Sequence, residues 1–209
     1  MKIELTRAGK RFNYDWIFRN LTLQFSSGTS YAITGPNGSG KSTLLGCIGG
    51  LLQPSEGVIA FSRNDAEIDA GQTFRLISLC APYLDVIEEM TLTEFFGFHQ
   101  SFKPFLAGTT TDGIIDSIGL GGAREKQIRY FSSGMKQRVK LAQAVFSDTP
   151  VLLLDEPCSN LDTDGIALYQ SLIERYAGDR IIIVCSNDPV EYRFCTTVLS
   201  MDSIKARTA

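Results

Sequence analysis

Two stretches in the C-terminal third of the chain are apolar without a break and then turn abruptly polar. They are VLLLDEP at 151–157 and IIIVCSND at 181–188. Runs of this length, with no alternation, fit strands buried on both faces of a parallel sheet. Between them GIALYQSLIERYA (165–177) has helical spacing. Earlier, YAIT (31–34) reads as a short strand that runs straight into glycines. KSTLLGCIGGLL (41–52) then sets Leu44, Leu45, Ile48, Leu51 and Leu52 on one helical stripe. GVIAFS (57–62) and RLISLCA (75–81) read as further strands. NLTLQFSSGTSYAIT (20–34) reads as a hairpin with its turn at Ser26–Thr29. From Met90 to Ser147 the pattern is helical, with TLTEFFGFHQSF, TTDGIIDSIGL and SGMKQRVKLAQAVF as the predicted helices. Strands alternating with helices imply an α/β layer sandwich with a mostly parallel central sheet. An N-terminal β region and an inserted helical segment complete it.

The polar tails of the greasy strands raise a question of function, because ligands bind at the carboxyl ends of strands in open α/β sheets. The tail Ser186-Asn187-Asp188 is therefore either a plain turn or part of a site. The segment after YAIT gives the sharpest chemistry: GPNGSGKST, Gly35 to Thr43, fits the spacing G-x-x-x-x-G-K-[ST]. Glycines let such a loop wrap closely enough for backbone N–H groups to face phosphate oxygens. The helix that starts near Lys41 presents its positive end to the same anion. Gly35, Asn37, Gly38, Ser39, Gly40, Lys41, Ser42 and Thr43 are the candidate phosphate ligands. Lys41 suits the β- and γ-phosphates, and the Ser42 hydroxyl suits Mg²⁺. In VLLLDEP, two adjacent carboxylates at the end of a buried strand are costly unless they bind something. Asp155 suits the Mg²⁺ contact, and Glu156 suits a general base acting on water.

Composition narrows the class. The chain has 209 residues, 44% hydrophobic and 21% charged, and a net charge of −3. That is the size of one domain with a subdomain, without the basic footprint of a nucleic-acid binder. No segment approaches 18 uncharged apolar residues, and MKIEL lacks a signal-peptide core, so a soluble protein that stays where it is made is expected. Cys47, Cys80, Cys158, Cys185 and Cys195 are odd in number and scattered, which implies reduced thiols rather than disulfides or zinc. Buried packing is the expectation for Cys47, Cys80 and Cys185.

In order along the chain, GPNGSGKST, the helical insertion, YFSSGMKQR (130–138), VLLLDEP and SNLD (159–162) resemble the ATP-binding cassette ATPases over essentially the whole length. The resemblance implies a P-loop NTPase fold whose nucleotide-binding core spans residues 1–84 and 149–209, with a helical signature subdomain at 85–148. It implies ATP and Mg²⁺ as ligands, and two cassettes head to tail around two ATP molecules. The second cassette is another copy or a paralogue. Ser132 and Gly134 then match residues that touch the γ-phosphate across the dimer, although Ser132 also reads as an ordinary helix N-cap. Asp162 matches a segment that links the two sites. Phe12 matches the aromatic that stacks on adenine, with Tyr14 and Trp16 as neighbours able to compete and a core aromatic as the plain alternative. Asn187 stands where the family keeps a histidine that senses γ-phosphate. Asparagine can donate a hydrogen bond there but cannot carry a proton. The one histidine, His99, reads as a surface or packing residue.

Two further segments depart from the family pattern. Pro82 replaces a glutamine, with Tyr83 or Asp85 as conceivable substitutes, and Ser133 and Met135 alter the signature. The resemblance implies an ATPase subunit, cytoplasmic and peripheral on the inner face of the membrane, that drives a separate integral-membrane permease. Residues 82–94 and the helical insert are the expected docking surface. The chain is similar in size to small bacterial exporter cassettes, including haem-exporter ATPases of cytochrome c maturation. The alternative is a nucleotide-gated regulatory module with impaired hydrolysis. A GTPase or small-molecule kinase is disfavoured, because no Asn-Lys-x-Asp motif is present and SSGMKQR has no evident job in those folds.

Overall fold

The computed structural model describes residues 1–206. Along the chain, β1 (Lys2–Phe12), β2 (Asp15–Ser26) and β3 (Ser30–Thr34) lead into α1 (Lys41–Ile48). Next come β4 (Glu56–Arg63), β5 (Ala66–Ile68), a 3₁₀ segment (Ala70–Leu76) and β6 (Ile77–Cys80). Helices α2 (Leu92–Gln100), α3 (Thr111–Ser117) and α4 (Ser133–Phe146) follow. The chain ends with β7 (Val151–Asp155), α5 (Thr163–Tyr176), β8 (Ile181–Cys185), α6 (Pro189–Tyr192), β9 (Thr197–Ser200) and α7 (Met201–Ala206). Two compact units result: residues 1–77, 150–155 and 179 onward form one, and residues 78–149 and 156–178 form the other.

The first unit holds an antiparallel sheet in the order β2-β1-β4-β5 and parallel strands in the order β7-β8-β3-β9. In the antiparallel sheet Ile3 sits opposite Phe25 and Phe61, and all three are buried, so alternation on β1 sends one face to the core. Every residue of β7 and of β8 is buried, as unbroken apolar runs require. Helix α1 lies over them: an added Cβ at Gly49 would stand 3.3 Å from Leu153 Cδ1, and Cys185 Sγ approaches the Lys41 carbonyl at 3.5 Å. In the second unit, α4 packs on α5, with Phe146 and Tyr176 rings 4.6 Å apart. Thr91 and Glu94 close α2 with a reciprocal capping box, and Thr110 caps α3.

Three expectations are corrected. The hairpin is β1–β2, turning at Asn13 (φ 54°), whereas β2 and β3 belong to different sheets. The Ser26–Thr29 turn is a crossing instead, tied down by Ser27 N–H to the Met1 carbonyl and Gly28 N–H to the Asp179 carbonyl. The helical stripe also stops early. Gly50 (φ 74°) takes the left-handed conformation that ends α1, and Leu51 and Leu52 donate back to the Gly46 carbonyl from beyond it. Leu52 still folds onto Gly46, but Leu51 is exposed. Finally, Arg75 and Leu76 belong to the 3₁₀ segment, and β6 begins only at Ile77.

Candidate nucleotide site

The glycine loop joins β3 to α1 inside the first unit. Gly35, Gly38 and Gly40 have φ of 145°, 78° and 102°, conformations that L side chains rarely adopt. At Gly40 there is also no room, since an added Cβ would lie 2.3 Å from Ile17 Cγ2. Gly40 is the N-cap of α1 and has no side chain, so the N-cap residue offers no acceptor to the first N–H groups of the helix. They offer a positively polarised nest. Lys41 is buried, and its Nζ donates to the Gly35 carbonyl at 2.6 Å and to the Pro36 carbonyl at 3.3 Å. The ammonium is thereby held inside the curve of its own loop. Ser39 Oγ is buried there with no hydrogen-bond partner among the described residues. A buried hydroxyl costs about 1–3 kcal/mol when unpaired, so the loop is built for something that supplies polar oxygens.

Adjacent parallel strands bring further groups to the same edge. β7 ends in Asp155, which is 2% exposed and in register with Cys185 at the end of β8. Two residues past β8, Asn187 reaches the loop itself. Its Oδ1 accepts from the Gly35 N–H at 3.0 Å, and its Nδ2 donates to Asn37 Oδ1 at 3.4 Å. Among the described residues no group of three or more His, Cys, Asp or Glu side chains has metal-holding geometry. The Ser42 hydroxyl and the Asp155 carboxylate are hard oxygen ligands of the kind Mg²⁺ takes, one or two from the protein and the rest from phosphate and water. The donor set therefore fits Mg-nucleotide.

The aromatic candidates separate clearly. Phe12, at the end of β1, is 46% exposed, with Lys10 Nζ 5.1 Å from its ring centre. Tyr14 is 92% exposed in the turn. Trp16 is engaged: the guanidinium groups of Arg11 and Arg19 lie 5.5 and 4.6 Å from its ring, and its edge fills the space beside Gly9. Because Ile17 touches Gly40, the start of β2 lies against the phosphate loop.

The remaining candidates lie in the second unit. Ser132 caps α4, its Oγ accepting from the Met135 N–H at 3.2 Å. Gly134 leaves only 3.0 Å between an added Cβ and the Asn160 carbonyl. Asp162 caps α5 through the Gly165 N–H at 2.8 Å and also accepts from Arg138 Nη2 at 3.4 Å. Glu156 is exposed and has φ 42°, a left-handed conformation that costs a non-glycine residue about 1–3 kcal/mol. Its carbonyl accepts from both the N–H and the Oγ of Ser159, at 3.0 and 2.8 Å. Gln137, buried, donates to the next carbonyl, that of Pro157, at 2.7 Å. The pattern of residue types gives no signal for Gln137 or Ser159, since the fold alone brings them to this turn. The exposed Pro82 offers only its carbonyl, which accepts from Lys140 Nζ at 3.2 Å. Tyr83 and Asp85 are both exposed.

His99 is a packing residue. Gln143 Nε2 lies 3.1 Å from Nδ1, Ser147 Oγ lies 2.8 Å from Nε2, and Ser147 itself donates to the Gln143 carbonyl. This chain fits the neutral ring protonated on Nε2. Burial, helped by Lys103, lowers its pKa from 6.5 to about 4. The Cys47 and Cys195 thiols are raised by burial to about 11 and about 12, and Cys47, Cys80 and Cys185 are buried as expected.

A glycine loop between a parallel strand and a helix, with an acidic residue closing a nearby buried strand, defines a P-loop nucleotide-binding protein of the α/β class. Residues 18–159 match the family described as "ABC transporter", and the chain belongs to that family. It is 29% identical to the cytochrome c biogenesis ATP-binding export protein CcmA of Agrobacterium fabrum, over 91% of each chain. It is 31% identical to the uncharacterized ABC transporter ATP-binding protein YybJ of Bacillus subtilis, over 99% of this chain and 95% of that one. Among solved structures it is similar to the ATP-binding cassette MJ0796, in a dimeric post-hydrolysis state bound to ADP and Pi. There the TM-score is 0.80 at 22% identity, covering 95% of this chain and 93% of that chain.

Proposed function

We propose that the chain binds Mg-ATP, hydrolyses it in a closed pair of cassettes, and thereby drives a separate membrane-spanning partner. The observation that carries this reading is the loop itself. Lys41 is buried and aimed inward, Ser39 Oγ has no partner among the described residues, and the N-cap residue supplies no side-chain cap, all within nine residues from Gly35 to Thr43. Lys41 and the loop amides hold the β- and γ-phosphates, and Phe12 supplies an open ring for the base. Ser42 and Asp155 hold Mg²⁺, which neutralises phosphate charge when bound. Glu156 orients water and takes its proton. Asn187 stands at the γ-phosphate end as a neutral hydrogen-bonding group. Ser132 and Gly134 act on the opposite copy's nucleotide, and Asp162 links the two sites.

The partner is inferred from three facts. No helix among the described residues is long and apolar enough to cross a membrane. Relatives are export and transporter ATP-binding proteins. The second unit exposes Tyr83, Ile87, Phe98, Phe102 and Tyr130 around the region proposed to dock. The working location is accordingly the inner face of the membrane. Replacing Glu156 by Gln tests the assignment. The parent should turn ATP over, and the variant should retain ATP in a stable dimer. A parent without turnover, together with a variant that traps nothing more, would favour the nucleotide-gated module instead.

A further inference from the structure

We infer that Gln137 is a positioning residue for hydrolysis, acting through the backbone of Glu156. The inference rests on the proposed role of Glu156 as the general base. Glu156 holds φ 42°, which an unsupported glutamate would leave. Three hydrogen bonds keep it there. Ser159 N–H and Oγ both donate to the Glu156 carbonyl, and Gln137 Nε2 donates to the Pro157 carbonyl at 2.7 Å. Proline has no N–H, so the Glu156–Pro157 link can be held only at the Glu156 carbonyl, and Gln137 holds the link that follows at the Pro157 carbonyl. Gln137 is 3% exposed and its Nε2 also lies 3.7 Å from Cys80 Sγ, so its amide is fixed by the interior.

The position of Gln137 on its helix gives the arrangement a further consequence. Helix α4 begins at the Ser132 cap, and Gln137 lies little more than one turn in. The same stretch meets the loop after Glu156 at two other points. Gly134 lies against the Asn160 carbonyl and Arg138 donates to Asp162. On the same proposed reading, in which Ser132 and Gly134 act on the opposite copy's nucleotide, the helix they begin is bonded directly to the turn that carries this copy's own base. Engagement of one site sets the geometry of the other through Gln137, without requiring a change in how tightly this copy's own loop holds ATP.

The test compares Gln137→Met, which keeps volume and loses the donor, with the parent and with Glu156→Gln. Displacing a reacting group by an ångström can cost about 10²-fold in rate. A fall in kcat of about 10–100-fold is therefore expected, with the dissociation constant for a fluorescent ATP analogue within about twofold of the parent. In the Glu156→Gln background the same substitution should lower the residual rate by less than about twofold, because the group it positions is gone. Ser159→Ala, which deletes one donor and keeps the N–H bond, should give a smaller loss with the same dependence on Glu156. Equal fractional losses in both backgrounds, or a loss of ATP affinity matching the loss of kcat, would overturn the inference and leave Gln137 a packing residue. If Glu156→Gln itself hydrolyses ATP at the parental rate, the base assignment falls, and the inference with it.

Discussion

Gly40 is the position where sterics make the sharpest quantitative claim. In Gly40→Ala the new methyl would start 2.3 Å from Ile17 Cγ2, against an ordinary contact of at least 3.4 Å, so loop or strand must separate by about 1 Å. Its φ of 102° adds the left-handed penalty, about 1–2 kcal/mol. Relieving the overlap adds about 1–3 kcal/mol, as for other overpacked sites. The sum, about 2–5 kcal/mol, is a large part of the stability of a domain. At about 2–4 °C per kcal/mol for a chain of this size, Tm should fall by about 4–20 °C.

Gly28→Ala is the control, because Gly28 also has positive φ (74°) but nothing lies within 4 Å of its added Cβ. It should cost only the backbone term and leave ATP affinity alone. Gly40→Ala should weaken ATP binding at least about tenfold, since the displaced loop is the one that holds phosphate. Adding Ile17→Ala, which removes the clashing methyl, should restore part of both losses. The assays are thermal denaturation and titration with a fluorescent nucleotide. If Gly40→Ala matches Gly28→Ala within about 0.5 kcal/mol and binds ATP normally, the close approach of β2 to the loop is not what shapes the site.

Three other outcomes follow from the geometry. Asn187→Ala removes the acceptor for the Gly35 N–H and should lower ATP turnover about fivefold or more, the worth of one hydrogen bond; unchanged turnover would make Asn187 a turn residue only. His99 has a pKa lowered to about 4 by burial, so below pH 6.5 the unfolded chain takes up a proton that the folded one refuses. Its contribution is complete above pH 6.5 and fades as pH falls towards 4; after discounting for solvent around a half-buried ring, His99→Gln should lose about 1 kcal/mol less than the parent between pH 7 and 5, and equal pH slopes would contradict this. Cys47, buried, and Cys195, half-buried, with thiols raised to about 11 and about 12, should react with an alkylating reagent at pH 8 far more slowly in the native protein than in urea, and comparable rates would refute the desolvation of these thiols.

What could be read along the chain divides by range. The buried strands and α4 were legible because their pattern is local: VLLL and IIIVC have no polar face, and SGMKQRVKLAQAVF carries its stripe directly after its cap, Ser132. The phosphate loop was legible because its spacing encodes its conformation. The Ser26–Thr29 turn misled because turn residues report that a chain changes direction, not which strand it meets next. Leu51 and Leu52 misled because their helical spacing continues through Gly49-Gly50, where the backbone has already left the helix. Gln137 and Ser159 were invisible for a different reason. Their partners are the carbonyls of Pro157 and Glu156, and a carbonyl leaves no trace in residue type. Asn187 was placed at the correct strand end by its neighbours, but its bond to Gly35 spans 152 positions and needed the fold.

The most direct test of the whole account is equilibrium binding of Mg-ATP to the purified chain, measured beside Lys41→Ala. The account predicts that the parent saturates below millimolar nucleotide, that EDTA weakens it, and that Lys41→Ala loses most of the affinity. A parent that retains no Mg-ATP at millimolar concentration, or a Lys41→Ala variant that binds as well as the parent, would contradict it.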